Sequence, residues 1–124
     1  MKYFYVITAV GTDPQFAAKQ AILKELGSTY GCEPFFPLQR RGRFDITSCR
    51  ADIRNADFVL ADLSLERPSC YFELGVAEAL DVRTAIIAAA GTRIHQVADA
   101  QLVSLYASLD EYRTLVVKEL SRPR

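Results

Sequence analysis

The stretch ADFVLADLSLERPSCYFELGVAEAL, residues 56–80, predicts both the fold and the position of the functional site. Its apolar run Phe58–Ala61 is typical of a buried strand, and Asp62 follows that run directly. A polar loop comes next, and then a helix opens with Glu73 in or close to its first turn. In an open α/β sheet, the end of a strand and the start of the next helix border the crevice in which such folds bind ligands. Asp62 and Glu73 are therefore predicted to line one cleft at the carboxyl edge of a parallel sheet.

Strand and helix signals alternate along all 124 residues. This alternation predicts an α/β fold, a flavodoxin-like doubly wound sheet of five parallel strands in the order 2-1-3-4-5. The length predicts one domain over residues 1–124. The predicted strands are Tyr3–Val10, Cys32–Leu38, Phe58–Ala61, Thr84–Ala89 and Leu102–Tyr106. The predicted helices are Gln15–Leu26 with Gly27 as its stop, Asp45–Asn55, Ser69–Leu80 and Asp110–Leu120, while Gly91–Asp99 fits either a loop or a short helix.

Composition excludes several classes of function. Fifteen basic and fifteen acidic residues cancel, which argues against an extended nucleic-acid surface. No apolar run approaches the roughly 20 residues that a membrane-spanning helix needs. Three cysteines without metal-site spacing and a single histidine predict no metal site, and we expect no cofactor. Reduced thiols and the lack of a signal-peptide pattern predict a cytoplasmic protein.

Glu73 is the strongest catalytic candidate. Apolar residues at helical spacing predict that Phe72, Val76, Ala79 and Leu80 face the core, with Glu73 on the edge of that face. A position near the helix N-terminus favours the ionised carboxylate by about 0.3–1 kcal/mol. An ionised carboxylate beside an apolar wall can attack an anomeric carbon or stabilise an oxocarbenium-like transition state. The alternative is a glutamate that only complements the helix dipole.

Asp62 also has two interpretations. It can accept hydrogen bonds from a sugar hydroxyl or a base, or orient Glu73 or a water molecule. Alternatively, it only stiffens the loop that follows its strand. His95, the single histidine, and Cys70 are weaker candidates, because a loop histidine is usually exposed and a cysteine beside a helix start is usually apolar filling.

Two segments could bind an anion. The loop Gln39–Phe44 carries Arg40, Arg41 and Arg43, which could hold a phosphate by forked hydrogen bonds or form a solvated basic loop. The second segment, Gly11-Thr12-Asp13, offers backbone amides before a helix but lacks the spacing of a phosphate-binding P-loop.

The residues around Asp62 and Glu73 resemble the nucleoside 2-deoxyribosyltransferase-like superfamily, and most closely its 2′-deoxynucleoside 5′-monophosphate N-glycosidases. The similar segments are Ala61-Asp62-Leu63-Ser64, Pro68-Ser69 and Phe72-Glu73-Leu74-Gly75. The resemblance implies that Glu73 is the nucleophile, that Ser69 binds phosphate or sugar, and that Ser64 belongs to the substrate site. It also implies a small nucleoside or nucleotide as substrate and a homodimer or larger homo-oligomer.

Three positions depart from that family's pattern. Arg67 stands near the place where the transferases carry an aspartate, and Cys49 is nearest to an aspartate of the nucleotide-cleaving enzymes, with Asp45 and Asp52 on either side. The glycine-rich first loop of the family is reduced to Gly11-Thr12-Asp13.

A second resemblance competes with the first. The run Ser69-Cys70-Tyr71-Phe72-Glu73-Leu74 is similar to part of the TIR domains, which implies an NAD-cleaving enzyme or signalling-nucleotide synthase that again uses Glu73. The continuation Gly75–Leu80 looks more like the deoxyribosyltransferases. A non-catalytic nucleotide-binding or TIR-type assembly module is the alternative outside the enzymes.

Overall fold

All five strands of the computed structural model, which describes residues 2–123, run parallel in one sheet. They are β1 Tyr3–Ile7, β2 Glu33–Phe35, β3 Phe58–Asp62, β4 Thr84–Ala89 and β5 Ser104–Tyr106. The order β2-β1-β3-β4-β5 confirms the topology predicted from the sequence. Because the chain moves outward in opposite directions from β1 and β3, the loops after these two strands separate and leave a crevice.

Helices cover both faces of the sheet. They are α1 Phe16–Tyr30, α2 Pro37–Arg41, α3 Ile46–Arg54, α4 Pro68–Ala79 and α5 Leu109–Leu120. Single 3₁₀ turns lie at Ser64–Glu66 and Ala100–Leu102, and residues 91–99 form a loop. Within residues 2–123, every helix is too short or too polar to cross a bilayer.

Alternation along the central strands divides the apolar residues between two cores. Phe4 and Val6 of β1 pack with α1 and α5 on one face. Tyr5 and Ile7 pack with α3 and α4 on the other. All five residues of β3 are buried, as expected for a central parallel strand covered on both sides. The side chain of Tyr5 thus points to the same face of the sheet as α4.

The first helix continues beyond its predicted stop. Gly27 lies inside α1, and a Cβ built on it would stand 2.7 Å from the carbonyl oxygen of Cys32 and 2.9 Å from Cδ of Pro34. The helix ends instead at Gly31, whose φ of 69° gives the left-handed cap that glycine adopts readily. Gly27 is therefore required by close packing between the helix and the following strand.

The second strand is shorter than the predicted Cys32–Leu38. Pro37 occupies the first position of α2, where its fixed φ and missing N–H are well tolerated, so the strand stops at Phe35. The predicted basic loop Gln39–Phe44 consequently begins as helix, and Gly42 ends that helix at a φ of 80°.

The predicted inner face of α4 is rotated in the structure. Cys70, Leu74 and Ala77 are buried, whereas Phe72 is 53% exposed. Glu73 lies three residues after Cys70 and one before Leu74, so it shares the side of the helix that faces the sheet. The apolar spacing predicted the wrong inner face, because Phe72 packs against the exposed ring of Phe44 and not in the core.

We predict that Gly27→Ala destabilises the protein by about 1–3 kcal/mol, because the new methyl group has no space. Gly75→Ala is the matched control, since Gly75 is exposed within α4 and a Cβ there meets nothing within 4 Å. The control should gain about 0.5–1 kcal/mol from helix propensity alone. Urea unfolding of both variants measures the difference, and an equal gain in the two would contradict the packing assignment.

Candidate functional site

A cavity of about 480 Å³ opens beside the carboxyl end of β1. Its wall comes from three parts of the chain: residues 5–12 at and after the end of β1, residues 36–52 including α2 and the inner side of α3, and the start of α4 from Arg67 to Glu73. The lining surface is mostly apolar, and its polar side chains include both charged groups and uncharged hydroxyl and amide groups. A concave, mostly apolar site with a few converging polar groups is the usual form of a small-molecule pocket.

Glu73 is held in this cavity by a tyrosine from the core. The hydroxyl of Tyr5 donates a hydrogen bond to Oε2 of Glu73 over 2.6 Å. Tyr5 itself is fully buried in the middle of β1, so the donor is fixed by the packing of the sheet. The carboxylate of a half-buried helix residue is thereby oriented by a strand, and its other oxygen accepts no hydrogen bond from residues 2–123.

Burial changes the ionisation of both partners. It raises the pKa of Glu73, and the hydrogen bond from Tyr5 only partly offsets this. Burial, together with the Glu73 charge, raises the pKa of Tyr5 well above its usual value, so the hydroxyl stays protonated and remains a donor. A carboxylate with a raised pKa in a cavity is a common property of catalytic acids, bases and nucleophiles.

Cys49 and Asp52 complete the inner wall on the α3 side. Sγ of Cys49 lies 3.7 Å from the hydroxyl of Tyr5, and burial raises the pKa of this thiol. Asp52 accepts two hydrogen bonds from the guanidinium group of Arg41, one of them 3.0 Å long from Nε. The charge of Asp52 is therefore already paired. Asp45, the third carboxylate of the lining, accepts hydrogen bonds from the backbone amide and the hydroxyl of Ser48.

Asp62 does not line the cavity with Glu73, contrary to the shared cleft predicted from the sequence. Its side chain is 2% exposed and faces the other side of the sheet end, where Nζ of Lys19 lies 3.2 Å from Oδ2. The hydroxyl of Tyr106 donates to Oδ2 over 2.8 Å, and the backbone amide and hydroxyl of Ser64 donate to Oδ1. These partners occupy both oxygens of Asp62, and they place Ser64 inside the fold rather than at the cavity.

The predicted anion-binding residues are divided between the cavity and other positions. Gly11, Thr12 and Ser69 line the cavity, as do Arg41 and Arg43. Two predicted residues do not reach the lining. Arg40 stacks over the ring of Phe35 at 4.9 Å, and Asp13 forms an ion pair with Lys19.

Two arginines of the cavity form no ion pair within residues 2–123. Among the described residues, neither Arg43 nor Arg67 has a carboxylate within 4 Å of its guanidinium group. Arg67 precedes the first residue of α4 and stands at the cavity together with Ser69. Arg43 interacts electrostatically with Asp45, another residue of the lining, but makes no direct contact with it. Two cations outside any ion pair, beside the start of a helix, make this part of the cavity attractive to an anion.

An aromatic pair also belongs to the cavity wall. The rings of Phe44 and Phe72 meet edge to face with centroids 5.6 Å apart, and each residue is about half exposed. Large apolar side chains left this open beside a cavity commonly contact a ligand.

His95 and Cys70 stay outside the cavity lining. Nε2 of His95 lies 2.6 Å from Oε1 of Glu66 on the surface. Burial raises the pKa of Cys70 to about 11, so its thiol is protonated at neutral pH. Within the described residues, no cluster of three or more histidine, cysteine, aspartate or glutamate side chains could hold a metal ion.

Sequence reasoning missed Tyr5 and Lys19. Tyr5 stands in a strand of apolar residues, and its hydroxyl was the only signal that this position needs a polar partner. Lys19 falls on the inner side of a helix, where an unpaired charge would be costly, so its position implied a buried carboxylate partner.

No protein-family model matches the sequence, and no curated protein matches it significantly. Solved structures do share its fold. The Clostridium botulinum CMP N-glycosidase BcmB aligns with a TM-score of 0.69 at 16% identity, over 93% of this chain and 98% of the other. A 2-deoxyribosyltransferase from Leishmania mexicana aligns with a TM-score of 0.62 at 19% identity, over 95% and 98%.

A third structure, the 2-deoxyribosyltransferase of Bacillus psychrosaccharolyticus, aligns with a TM-score of 0.64 at 13% identity, over 95% of each chain. The chain therefore shares its fold with these three proteins, which agrees with the architecture predicted from the sequence.

We predict that Glu73→Gln raises the melting temperature at neutral pH. The folded-state pKa of Glu73 is raised, so the charge that Glu73 gains as pH rises through that pKa destabilises the folded state. Glutamine keeps an acceptor for the Tyr5 hydroxyl and carries no charge. Calorimetric melting at several pH values should show the advantage of the variant shrinking as the medium becomes acidic, where Glu73 of the wild type is protonated in both states. A variant less stable than wild type at neutral pH would contradict the burial of an ionised Glu73.

Proposed function

We propose that this protein cleaves, or transfers at, the N-glycosidic bond of a nucleoside 5′-monophosphate, with Glu73 as the nucleophile. The observation that carries the proposal is the position of Glu73: its carboxylate faces the cavity and is oriented by the Tyr5 hydroxyl at 2.6 Å. The shared fold with an N-glycosidase and two deoxyribosyltransferases supports the same type of reaction.

The reaction follows from the chemistry of a held carboxylate. One oxygen of Glu73 attacks the anomeric carbon while the bond from that carbon to the base nitrogen breaks, and the base leaves with the bonding electrons and takes up a proton. The resulting glycosyl ester on Glu73 reacts with water to regenerate the carboxylate. A second base can replace the water, and the same intermediate then gives transfer instead of hydrolysis.

Tyr5 would contribute by orientation. Its hydroxyl holds Oε2 of Glu73, which leaves Oε1 as the attacking oxygen. Because the same hydrogen bond favours the ionised form, it keeps more of the carboxylate charged than burial alone would allow. Orientation and ionisation of the nucleophile therefore depend on one donor.

The two ends of a nucleotide would meet different parts of the wall. Arg43, Arg67 and Ser69 offer charge and hydrogen-bond donors to a phosphate. Phe44 and Phe72 offer ring surfaces to a base, and such stacking tolerates more than one base. This division supports a nucleoside monophosphate over a free nucleoside as the substrate class.

We predict that Glu73→Gln abolishes base release, with a loss of about three decades in rate or more, because an amide cannot act as the nucleophile. Nucleosides, nucleoside monophosphates and NAD are each incubated with wild type and variant, and the free base is measured by chromatography. The wild-type rate should fall toward acidic pH with an apparent pKa above the ordinary glutamate value, since burial raises the pKa of Glu73.

The same panel of substrates separates the other interpretations. Base release from NAD alone would favour the TIR-like enzyme, and a folded wild type that releases no base from any substrate would favour a binding module. Turnover by folded Glu73→Gln at the wild-type rate would exclude Glu73 as the nucleophile.

We predict that Arg43→Gln weakens binding of a nucleoside monophosphate about tenfold and leaves binding of the matching nucleoside unchanged. Arg40→Gln is the matched control, because it removes the same charge from the same segment but lies outside the cavity lining. Calorimetry with matched nucleoside and monophosphate pairs measures both effects, and added salt should reduce only the monophosphate affinity. Equal losses in the two variants would show a general effect of surface charge instead of a phosphate contact.

A further inference from the structure

A buried ion-pair network lies next to the cavity but outside its lining. Nζ of Lys19 stands 2.6 Å from Oδ2 of Asp13 and 3.2 Å from Oδ2 of Asp62. The side chains of all three residues are at most 7% exposed. One cation is thus shared between two carboxylates, an arrangement that is costly to bury unless each partner is held in place.

The Asp62 end of the network is fixed to the sheet. Asp62 is the last residue of β3, and its oxygens accept hydrogen bonds from Tyr106 at the end of β5 and from Ser64. The backbone amide of Ala89, at the end of β4, donates to the hydroxyl of Ser64 over 2.8 Å. Three neighbouring strands are therefore joined at their carboxyl ends, and Lys19 is anchored to a rigid base.

The Asp13 end holds a loop that carries part of the cavity wall. Gly11 and Thr12 precede Asp13, are exposed and line the cavity. Within residues 2–123, neither takes part in a backbone–backbone hydrogen bond. Asp13 is held by Lys19 and also accepts a hydrogen bond from the amide of Gln15 at 2.8 Å. The carbonyl oxygen of Asp13 accepts a further hydrogen bond from the amide of Phe16 in α1 over 3.1 Å. Through Lys19, the side chain of Asp13 connects this loop to Asp62 at the end of β3.

We propose that Lys19 and Asp13 are positioning residues that hold the Gly11–Thr12 wall of the cavity in place for the phosphate of the ligand. Neither side chain lines the cavity, so they act through the loop and not by contact with substrate. This inference rests on the proposed function only for the identity of the ligand, because the hold on the loop can be observed without activity.

The test compares Asp13→Ala with Asp13→Asn. Asp13→Ala releases the loop but leaves Lys19 and Asp62 as a neutral buried pair, so the fold should survive. Lys19→Met is less suitable, because it leaves two buried carboxylates without their cation. Asp13→Asn loses one of the two oxygens, the one that accepts from the amide of Gln15, but keeps an oxygen that can accept from Nζ of Lys19. It therefore preserves the contact with Lys19 and serves as the conservative control.

Backbone ¹⁵N relaxation of Gly11 and Thr12 gives the first readout. We expect order parameters of about 0.85 in the wild type and Asp13→Asn, and below about 0.6 in Asp13→Ala. Unchanged order parameters in Asp13→Ala would overturn the proposal, whether or not the protein has the activity proposed above.

Affinity and turnover of a 2′-deoxynucleoside 5′-monophosphate give the second readout. In Asp13→Ala, we expect KM and the calorimetric dissociation constant to rise about tenfold with kcat nearly unchanged, and Asp13→Asn should restore most of the affinity. If the loop becomes mobile in Asp13→Ala while the affinity for the monophosphate stays unchanged, the proposal that the Gly11–Thr12 wall binds the phosphate is wrong. A wild type that binds the monophosphate but releases no base would refute the proposed function and leave this inference standing.

Discussion

The buried charge at the end of the central strand is the constraint on which the carboxyl edge of the sheet depends. Asp62 ends a strand that is buried on both faces, so its charge has no access to water and must be met by protein groups. Lys19, Ser64 and Tyr106 supply those groups from a helix, a turn and the edge strand. The burial of Lys19 alone would lower its pKa, but the Asp62 charge and the hydrogen bond to Asp13 raise it, so the amine remains charged. Satisfying one carboxylate thus determines the relative positions of elements that are distant in sequence.

Glu73 differs from Asp62, because protein groups within the described residues satisfy only one of its two carboxylate oxygens. It receives one strong hydrogen bond, from Tyr5, and otherwise faces an apolar cavity. Asp62 and Glu73 lie close in sequence. The charge of Asp62 is nevertheless met by a hydrogen-bonded network, whereas one oxygen of Glu73 is left to contact a ligand. The difference comes from the pleat of the sheet, because neighbouring positions of a strand point to opposite faces. Tyr5 on β1 faces α4, whereas the partners of Asp62 come from the α1 side and from the edge strand.

The topology could be predicted from the sequence because it depends on strong local signals. Alternating strand and helix patterns, together with the right-handed crossover rule, leave few arrangements for five parallel strands. Glu73 was predicted to lie in the crevice for the same reason, since the start of the helix after β3 must lie there. The side-chain environment was harder to predict. Asp62 follows the strand in sequence as a site residue would, but its orientation depends on Lys19, which is 43 residues away. Gly27 was predicted to end the helix, because its close packing against Cys32 and Pro34 cannot be recognised from the residues around it in sequence.

Eight of the ten residues from Phe36 to Asp45 line the cavity, and this segment contains neither Tyr5 nor Glu73. The carboxylate of Glu73 lies on a helix and the hydroxyl of Tyr5 on a central strand, whereas this segment is a short helix and a loop joined at Gly42. Substitutions there can alter the shape and charge of the cavity without disturbing the hydrogen bond that orients the carboxylate. If the proposed function holds, the orientation of the nucleophile and the choice of substrate depend on different parts of the chain, so substitutions within ten consecutive residues would change the substrate while the reaction stayed the same.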